Sequence, residues 1–409
     1  MPGHSRRING SINAFCTHLE AIHLAKQTHP ITMKFTIAES IQTVPAAEWN
    51  RLAADNPFLS HAFLSALEQH QSVGADSGWE PRYVLGYRDE QLVAAVPMYL
   101  KHHSWGEFVF DWAWAGAYER NGLDYYPKLV IATPYTPVPG ARLLLEDRND
   151  TQAASALIDY ILNYAQVTKV SSLHCLFLDE QDQQHLNQTS LISRADTQYH
   201  WVNHDYEYFD AFLAQLASRH RKKIKRERRR VDEAGITIQL LHGHEISDEQ
   251  WANFYQFHQN TYLKRGHQTP FKIDFFREIG ATMADKIIMI TAQKDGEEVA
   301  AALNFVNNDT LYGRYWGCLD DYHSLHFEVC YYRAIDYCIA NKLKRFEAGA
   351  QGEHKLVRGF YPTTTHSRHW IAHPAFREAI QKAVDYERQD LGRYQEMLSR
   401  YLPYKKQPS

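Results

Sequence analysis

The chain has 409 residues but five cysteines, and no two of them form a Cys-x-x-Cys pair. An odd number of scattered cysteines argues against a disulfide framework, and unpaired cysteines argue against a structural zinc site. No apolar run approaches the roughly 18 residues that a membrane-spanning helix needs. We therefore expect a protein of a reducing compartment without an integral membrane segment, and we predict a cytoplasmic location.

The sequence also lacks the short motifs of several large enzyme classes. It has no Gly-x-Ser-x-Gly elbow, no phosphate-binding P-loop, no dinucleotide fingerprint and no His-Glu-x-x-His motif. These absences exclude the commonest hydrolases, kinases, dehydrogenases and zinc peptidases. Histidine pairs occur at 102–103 and at 242 and 244, but such pairs are expected by chance among 23 histidines. We predict no metal site.

What the chain does have is an uneven distribution of charge. Its net charge is −4, yet the segment from Arg219 to Arg230 contains nine Lys or Arg residues and a single acid, Glu227. This segment carries +8, which leaves −12 on the rest of the chain. One dense basic segment in an otherwise acidic chain indicates a polyanionic partner more strongly than uniform basicity does.

The basic segment is predicted to belong to a helical connector over residues 206–235. Apolar residues from Phe209 to Ile224 fall on one helical stripe, which should pack against the protein. Like charges on another face repel one another, and a bound polyanion would offset that repulsion. The candidates for binding phosphate or nucleic acid are Arg221, Lys222, Lys225, Arg226 and Arg229. The alternative is a solvated linker helix with acidic neighbours.

A repeated pattern predicts that the chain is a tandem duplication. Residues 88–100 (RDEQLVAAVPMYL) align without gaps on 294–306 (KDGEEVAAALNFV), each a polar turn before an apolar strand. Residues 110–115, with Asp111, Trp112 and Trp114, then match 312–317 as a predicted strand. An Ile-Asp-Tyr helix and another strand follow in each half. The repeated order predicts an α/β (α+β) fold with two mixed-sheet domains and flanking helices, convergent patterning being the alternative.

The predicted boundaries follow from this duplication. They are 34–205 for the first domain, 206–235 for the basic connector, 236–395 for the second domain and 396–409 for a C-terminal tail. Residues 1–33 are predicted to be an N-terminal extension, either a disordered tail or an incorrectly assigned start before Met33. A weak transit peptide is the alternative, but the segment lacks the apolar core of a secretory signal.

The most informative stretch is 349–360, GAQGEHKLVRGF, which follows a strand-like run. Its glycines bend the backbone where Glu353, His354, Lys355 and Arg358 crowd together. Ionisable groups so close together are costly to bury, and such clusters at the end of a strand occur more often in reaction sites than in cores. The alternative is a solvated charged loop.

Several runs in this chain resemble the FemAB-like family of the acyl-CoA N-acyltransferase (GNAT) superfamily, a family linked to peptidoglycan biosynthesis or recognition. The runs are NPFLSHAF (56–63), LYGRYWG (311–317), LHFEVCYY (325–332) and GAQGEHK (349–355) with RGF (358–360). The resemblance covers residues 34–395. It implies two GNAT-like domains and the transfer of an acyl or aminoacyl group to an amine. The better-understood Fem transferases have a similar basic inter-domain helix and take amino acids from aminoacyl-tRNA.

One difference from the GNAT superfamily concerns the donor. GNAT enzymes hold the pyrophosphate of acetyl-CoA on a glycine-rich loop at a helix N-terminus, where backbone N–H groups point at the phosphates. The corresponding loop here is DYHSLH (321–326), which contains no glycine. A standard CoA site is therefore not expected.

The resemblance and the residues together give a hypothesis for the mechanism. We predict that His354 or Glu353 removes the proton of the amine, and that Lys355 or Arg358 binds a carboxylate or phosphate. Glu328 has an alternative role in complementing a helix dipole. The residues predicted to bind substrate are Arg314, Tyr315, Trp316, His326, Glu328, Gln351, Arg358, Asp111 and Trp112.

Three functions are consistent with the sequence. The first is an acyl- or aminoacyltransferase that uses a phosphate-bearing donor such as aminoacyl-tRNA and a small-molecule or peptide amine as acceptor. The second is a CoA-dependent N-acyltransferase with an atypical pyrophosphate site. The third is a non-catalytic protein that binds RNA or a cell-wall precursor. No resident cofactor is predicted, and acyl-CoA or aminoacyl-tRNA would serve as donor.

Overall fold

A computed structural model describes residues 33–350 and 352–405 of the chain. The predicted N-terminal extension, except for Met33, and the predicted substrate residue Gln351 lie outside this described part. The predicted C-terminal tail is described as far as residue 405.

The described residues form fifteen strands and twelve α-helices. The strands are β1 (Lys34–Ala38), β2 (Trp79–Pro81), β3 (Tyr83–Arg88), β4 (Gln91–Val96), β5 (Met98–Lys101), β6 (Lys128–Ile131), β7 (Leu144–Leu145), β8 (Ser172–Cys175), β9 (Ile192–Val202), β10 (Ile236–His242), β11 (Ile287–Lys294), β12 (Glu297–Val306), β13 (Thr310–Cys318), β14 (Arg345–Glu347) and β15 (Tyr361–Ile371). The helices are α1 (Ala46–Ala53), α2 (His61–Gln69), α3 (Trp112–Arg120), α4 (Thr151–Val167), α5 (Glu180–Leu186), α6 (Phe209–Gln215), α7 (Ser218–Glu233), α8 (Asp248–Leu263), α9 (Ile273–Thr282), α10 (Leu325–Phe327), α11 (Arg333–Ala340) and α12 (Pro374–Arg400). A π-helical turn, Glu328–Tyr332, joins α10 to α11, and a 3₁₀ turn spans Glu353–Arg358.

The strand order confirms the predicted duplication. In each half an antiparallel ladder leads into one parallel pair, β6 with β8 in the first half and β13 with β14 in the second. A helical crossover connects each parallel pair, as parallel strands require: α4 in the first half and α10–α11 in the second. These two helices carry the repeated Ile-Asp-Tyr sequence. The fold is thus two mixed-sheet units in tandem with flanking helices.

The two units exchange their last strands. β9, which ends the first half, pairs with β14 of the second half, and β15, which ends the second half, pairs with β8 of the first. β9 and β15 also pair with each other, so one eleven-stranded sheet runs through both halves, in the order β10-β11-β12-β13-β14-β9-β15-β8-β6-β5-β2. A second sheet has the order β1-β3-β4-β7. Helix α12 packs along β9 and β15 and continues past the predicted domain end at residue 395.

The expectation that Asp111, Trp112 and Trp114 lie on a strand equivalent to β13 is wrong. Trp112–Arg120 is helix α3, and the strand that corresponds to β13 in the first half is β6. The alternating Trp-Ala-Trp-Ala sequence looks like a strand with a period of two. However, the buried residues of this segment are Trp114 and Tyr118, which are four positions apart and therefore lie on one face of a helix.

The large sheet is covered on both faces, which explains the uninterrupted apolar run at the start of β11. Ile287 and Met289 pack into one core cluster, whereas Ile288 and Ile290 pack into another on the opposite face. The first cluster also joins the two halves through aromatic contacts. The ring of Phe58 lies 4.9 Å from that of Phe305.

Glu227, the acidic residue within the basic run, attaches helix α7 to the rest of the protein. Glu227 is buried, and its carboxylate accepts hydrogen bonds from Nη2 of Arg358 at 2.9 and 3.0 Å and one from the Tyr332 hydroxyl. The Arg358 guanidinium also donates to the His354 carbonyl and stacks on the Phe327 ring at 3.4 Å. Helix α7 and the Glu353–Arg358 turn are therefore held as one unit.

Removal of Glu227 should destabilise the fold strongly. In Glu227→Ala the Arg358 guanidinium stays buried without its carboxylate, so we expect the free energy of unfolding to fall by about 3–5 kcal/mol. Urea unfolding followed by tryptophan fluorescence measures this change. The control is Glu233→Ala, which breaks an exposed pair with Arg229 on the same helix and should cost less than about 1 kcal/mol. Equal losses in the two variants would contradict this account.

Candidate active site

A cavity of about 760 Å³ lies between the two halves, where β13 and β14 separate. These strands pair from Thr310–Arg345 to Tyr312–Glu347. Residues 313–316 of β13 and residues 348–350, which follow β14, line the cavity. The opening therefore results from strand divergence, which leaves backbone groups facing the cavity as well as side chains.

The structure brings five of the predicted substrate residues together around this cavity. They are Arg314, Tyr315, Trp316, His326 and Trp112. Arg314 donates a hydrogen bond of 2.8 Å from Nη2 to the Tyr135 carbonyl of the first half, while its Nε has no partner among the described residues. His326 packs edge-on against Trp316, with the ring centres 5.2 Å apart.

Tyr331 links two predicted histidines and was missed by the sequence analysis. Its hydroxyl lies 3.3 Å from Nε2 of His326 and 2.9 Å from Nε2 of His354. His326 and Tyr331 line the cavity, whereas His354 is exposed, so the three side chains form a polar path from the cavity to the surface. The π-helical turn produces this arrangement, because residues five apart lie nearly on one face only when the helix widens.

Both histidines of this path have lowered pKa values, which favours the neutral imidazole. Burial, with help from the nearby His354 and Arg358, lowers the pKa of His326 to about 4. Partial burial, followed by the charges of Arg358, Lys355 and Lys223, also lowers the pKa of His354. Neutral imidazoles can accept a proton on one nitrogen and donate from the other, as a proton relay requires.

Lys355 lies directly behind the cavity wall. Its side chain is buried, and Nζ donates a hydrogen bond of 2.8 Å to the carbonyl of Gly349, a wall residue. Burial, and then the neighbouring Arg314, lowers the pKa of Lys355 to about 7. Glu347, at the end of β14, is a buried acid that no sequence motif indicated, and burial raises its carboxyl pKa to about 7 against the charges of Arg345 and Arg314.

Four other predicted site residues are engaged by protein groups. The exposed Glu353 accepts a hydrogen bond from the Tyr394 hydroxyl of α12 at 2.6 Å. Arg358 is paired with Glu227, as described above. Glu328 is buried against Arg333 at 2.7 Å and Arg228 at 3.2 Å. Asp111, in the first half, is buried against Lys128 and Tyr125.

Helix α7, which carries the basic face, contacts the Glu353–Arg358 turn at the His354 end of this path. Among its predicted phosphate ligands, Lys225 pairs with Asp210, Arg229 pairs with Glu233, and Arg221 donates to the Leu216 carbonyl. The exposed side chains of Lys222 and Arg226 have no ion pair within 33–350 and 352–405. This face therefore carries positive charge toward solvent next to the candidate site.

The loop in front of α10 has an acidic character. Asp320 and Asp321 line a second cavity of about 430 Å³, together with His323 and His326. Ser324, the last residue before the helix, has a φ of 70°. Two carboxylates at this position disfavour a pyrophosphate group.

Two further features bear on the class of protein. Within the described part of the chain, no three His, Cys, Asp or Glu side chains are grouped as a metal site would require. The described helices also include none with the length and apolarity to cross a membrane.

Comparisons with known proteins agree with this architecture. Residues 40–406 match the FemAB-like family model, described as peptidoglycan biosynthesis/recognition. No curated protein matches the sequence. The crystal structure of FemX superposes with a TM-score of 0.53 at 12% identity, covering 85% of this chain and 100% of that one. L-PGS from Bacillus licheniformis gives 0.46 at 10% identity, covering 79% and 96%. A tandem GNAT protein from the clavulanic acid biosynthesis pathway gives 0.44 at 10% identity, covering 84% and 99%.

The depressed pKa of Lys355 should be visible as a pH dependence of stability. In the unfolded chain a lysine stays protonated up to about pH 10.4, whereas the folded-state pKa is about 7. Between these values the unfolded state binds more protons, so this lysine makes stability rise with pH by about 1.4 kcal/mol per pH unit. Below pH 7 both states are protonated and its contribution is constant.

The substitution Lys355→Met removes this contribution. We expect the variant to be more stable than the parent at pH 6, and this advantage should shrink as the pH rises from 7 to 10. Urea unfolding at a series of pH values provides the measurement, with the exposed Lys382→Met as control. A stability difference that did not change with pH would show that Lys355 keeps an ordinary pKa.

Proposed function

Because the chain belongs to the FemAB-like family, whose model covers residues 40–406, we propose that it transfers an acyl or aminoacyl group from a phosphate-bearing donor to an amine. The observation that carries this proposal is the path from His326 through Tyr331 to His354, which begins in a cavity at the divergence of β13 and β14. The acceptor is a small-molecule or peptide amine.

Amine acylation requires a route for one proton. The amine nitrogen attacks the donor carbonyl, the new C–N bond forms, and the bond between the carbonyl carbon and its carrier breaks. The nitrogen must then lose a proton. His326 accepts this proton at Nδ1, which has no hydrogen-bond partner among the described residues. Its Nε2 proton passes to the Tyr331 oxygen as Tyr331 gives its own proton to His354, which returns it to solvent.

The developing negative charge on the carbonyl oxygen needs a donor. Arg314 supplies a half-buried cation on the cavity wall, with one guanidinium N–H that has no partner among the described residues. A fixed charge in a water-poor site stabilises an oxyanion more strongly than the same charge in water. Lys355 acts as a positioning residue, because it holds the Gly349 carbonyl at the wall rather than reaching into the cavity.

The donor is proposed to bind through its phosphates on the basic face of α7. The exposed Lys222 and Arg226 of this face support a nucleic-acid carrier, in particular aminoacyl-tRNA. A CoA-dependent reaction is the alternative, but Asp320 and Asp321 occupy the region where its pyrophosphate would bind. The negative charges of these two carboxylates would repel the pyrophosphate of the donor.

The relay predicts a specific effect of removing the Tyr331 hydroxyl. Tyr331→Phe keeps the ring but breaks the path, so kcat/KM should fall by about 10²-fold or more. The assay measures transfer of labelled amino acids from a pool of aminoacyl-tRNAs to a panel of amines, with acyl-CoA donors in parallel. Tyr337→Phe, on the neighbouring helix α11 and outside the path, is the matched control. Full activity of Tyr331→Phe would remove the proton route from the mechanism.

The donor proposal predicts salt-dependent RNA binding through α7. Replacing Lys222 and Arg226 together by Glu should weaken tRNA binding at least tenfold and lower the slope of log K against log salt by about 1 to 2, since two phosphate contacts are lost. The double variant Lys34→Glu and Lys169→Glu makes the same change in net charge at exposed positions of the first half. Equal weakening in both variants would mean that tRNA senses net charge alone.

A further inference from the structure

Four large aromatic side chains stand exposed within eight residues on the first-half wall of the cavity. This aromatic wall consists of Trp105 (58% exposed), Phe108 (36%), Phe110 (49%) and Trp112 (42%). All four line the cavity that also contains His326 and Tyr331. Clustered exposed apolar residues of this size mark a binding surface more often than a chance feature of the surface.

The protein uses buried charges to hold these aromatic residues outward. Glu107 and Asp111 alternate with them in sequence but turn inward, and both carboxylates bind the ammonium of Lys128 on β6. Lys128 also donates to Ser104 at 2.8 Å, and Lys128, Glu107 and Asp111 are all buried. A buried ion cluster is weak evidence for stability, because desolvation opposes the attraction. Here it fixes which side chains of the segment face the cavity.

A second buried lysine supports the same segment. Lys101 is fully buried, with Nζ 3.9 Å above the Trp79 ring, and it donates a hydrogen bond of 3.2 Å to the carbonyl of Trp105. The two lysines and two acids beneath the wall balance in formal charge. The wall therefore offers apolar surface without a net charge that would attract an ionic group.

The opposite side of the cavity is mixed in character, with Arg265, His267 and Gln268 of the loop after α8 beside the ring of Tyr262. The Trp105 ring lies 5.3 Å from that of His267, in the loop after α8, and Tyr262 lines the cavity beside it. The cavity then reaches Trp316 and His326. It therefore has an extended apolar end in the first half and a polar end in the second.

We propose that the aromatic wall binds the long apolar chain of an amphipathic substrate whose polar head lies at the His326–Tyr331 end. A single aromatic ring could be enclosed deeper in the cavity and would leave the outer residues Trp105 and Phe110 exposed, whereas a chain covers the whole row. The role of the head rests on the proposed acyl transfer, but binding of the chain does not depend on it.

Binding of a chain probe tests this inference directly. The probe is 11-(dansylamino)undecanoic acid below its micellar concentration, whose fluorescence rises in apolar sites. We expect one saturable site, with competition by octanoate, dodecanoate and hexadecanoate that strengthens about three- to fourfold per methylene until the cavity is filled. Phe110→Ser and Trp105→Ala should each weaken binding at least tenfold.

Controls separate this inference from the proposed function. Tyr386→Ser removes an exposed aromatic side chain on α12 and should leave probe binding unchanged. Probe binding and acyl transfer are measured in parallel on the parent protein, so a protein that bound the chain but transferred no acyl group would retain this inference and disprove the proposed function. Unaltered binding in the two wall variants would overturn the inference. The inference would also be overturned if the monomeric probe did not bind at all and the two wall variants lost binding to phosphatidylcholine vesicles.

Discussion

The exchange of β9 and β15 between the two halves is the constraint on which the rest of the structure depends. Because each strand completes the sheet of the other half, the halves cannot separate without breaking the ladder from Tyr361–His200 to His369–Ile192. This ladder fixes the distance between the first-half wall and the diverging strands β13 and β14. The cavity is thus defined by backbone hydrogen bonds, while the aromatic contacts around Phe58 and Phe305 fill the interface beside it.

A second constraint, the buried pair of Glu227 and Arg358, ties the basic helix to the reactive turn. Arg358 contacts the His354 carbonyl, and Tyr332 joins the same cluster one residue after Tyr331. The His354 end of the polar path and the basic helix α7 are therefore positioned by one ion cluster. This coupling gives a physical reason for the one acid, Glu227, among the nine basic residues. The acid anchors the helix, and the other face stays free to bind an anion.

Features that depend on local sequence were predictable, and features that depend on distant pairing were not. A polar turn before an apolar run sufficed for both hairpins, and helical spacing located the connector helices. The match of residues 110–115 to 312–317 predicts a strand at Trp112, but so short a match cannot distinguish a strand from a helix whose buried residues are four apart. The contribution of Tyr331 depends on the widened turn Glu328–Tyr332, which has no simple sequence signature. The contact of Glu353 with Tyr394 arises only after the strand exchange brings α12 alongside the turn.

Among the described residues, the two copies of the unit differ at the position of this opening. In the first half the parallel pair β6–β8 runs from Leu129–Leu173 to Ile131–Cys175, and the Leu176 amide continues the ladder by donating to the Ile131 carbonyl at 2.9 Å. In the second half the equivalent strands separate after Tyr312 and Glu347. The first copy instead uses its β6 strand to present Lys128, which holds the aromatic wall in place. In the proposed reaction, one copy supplies the surface against which the substrate rests, and the other supplies the groups that react with it.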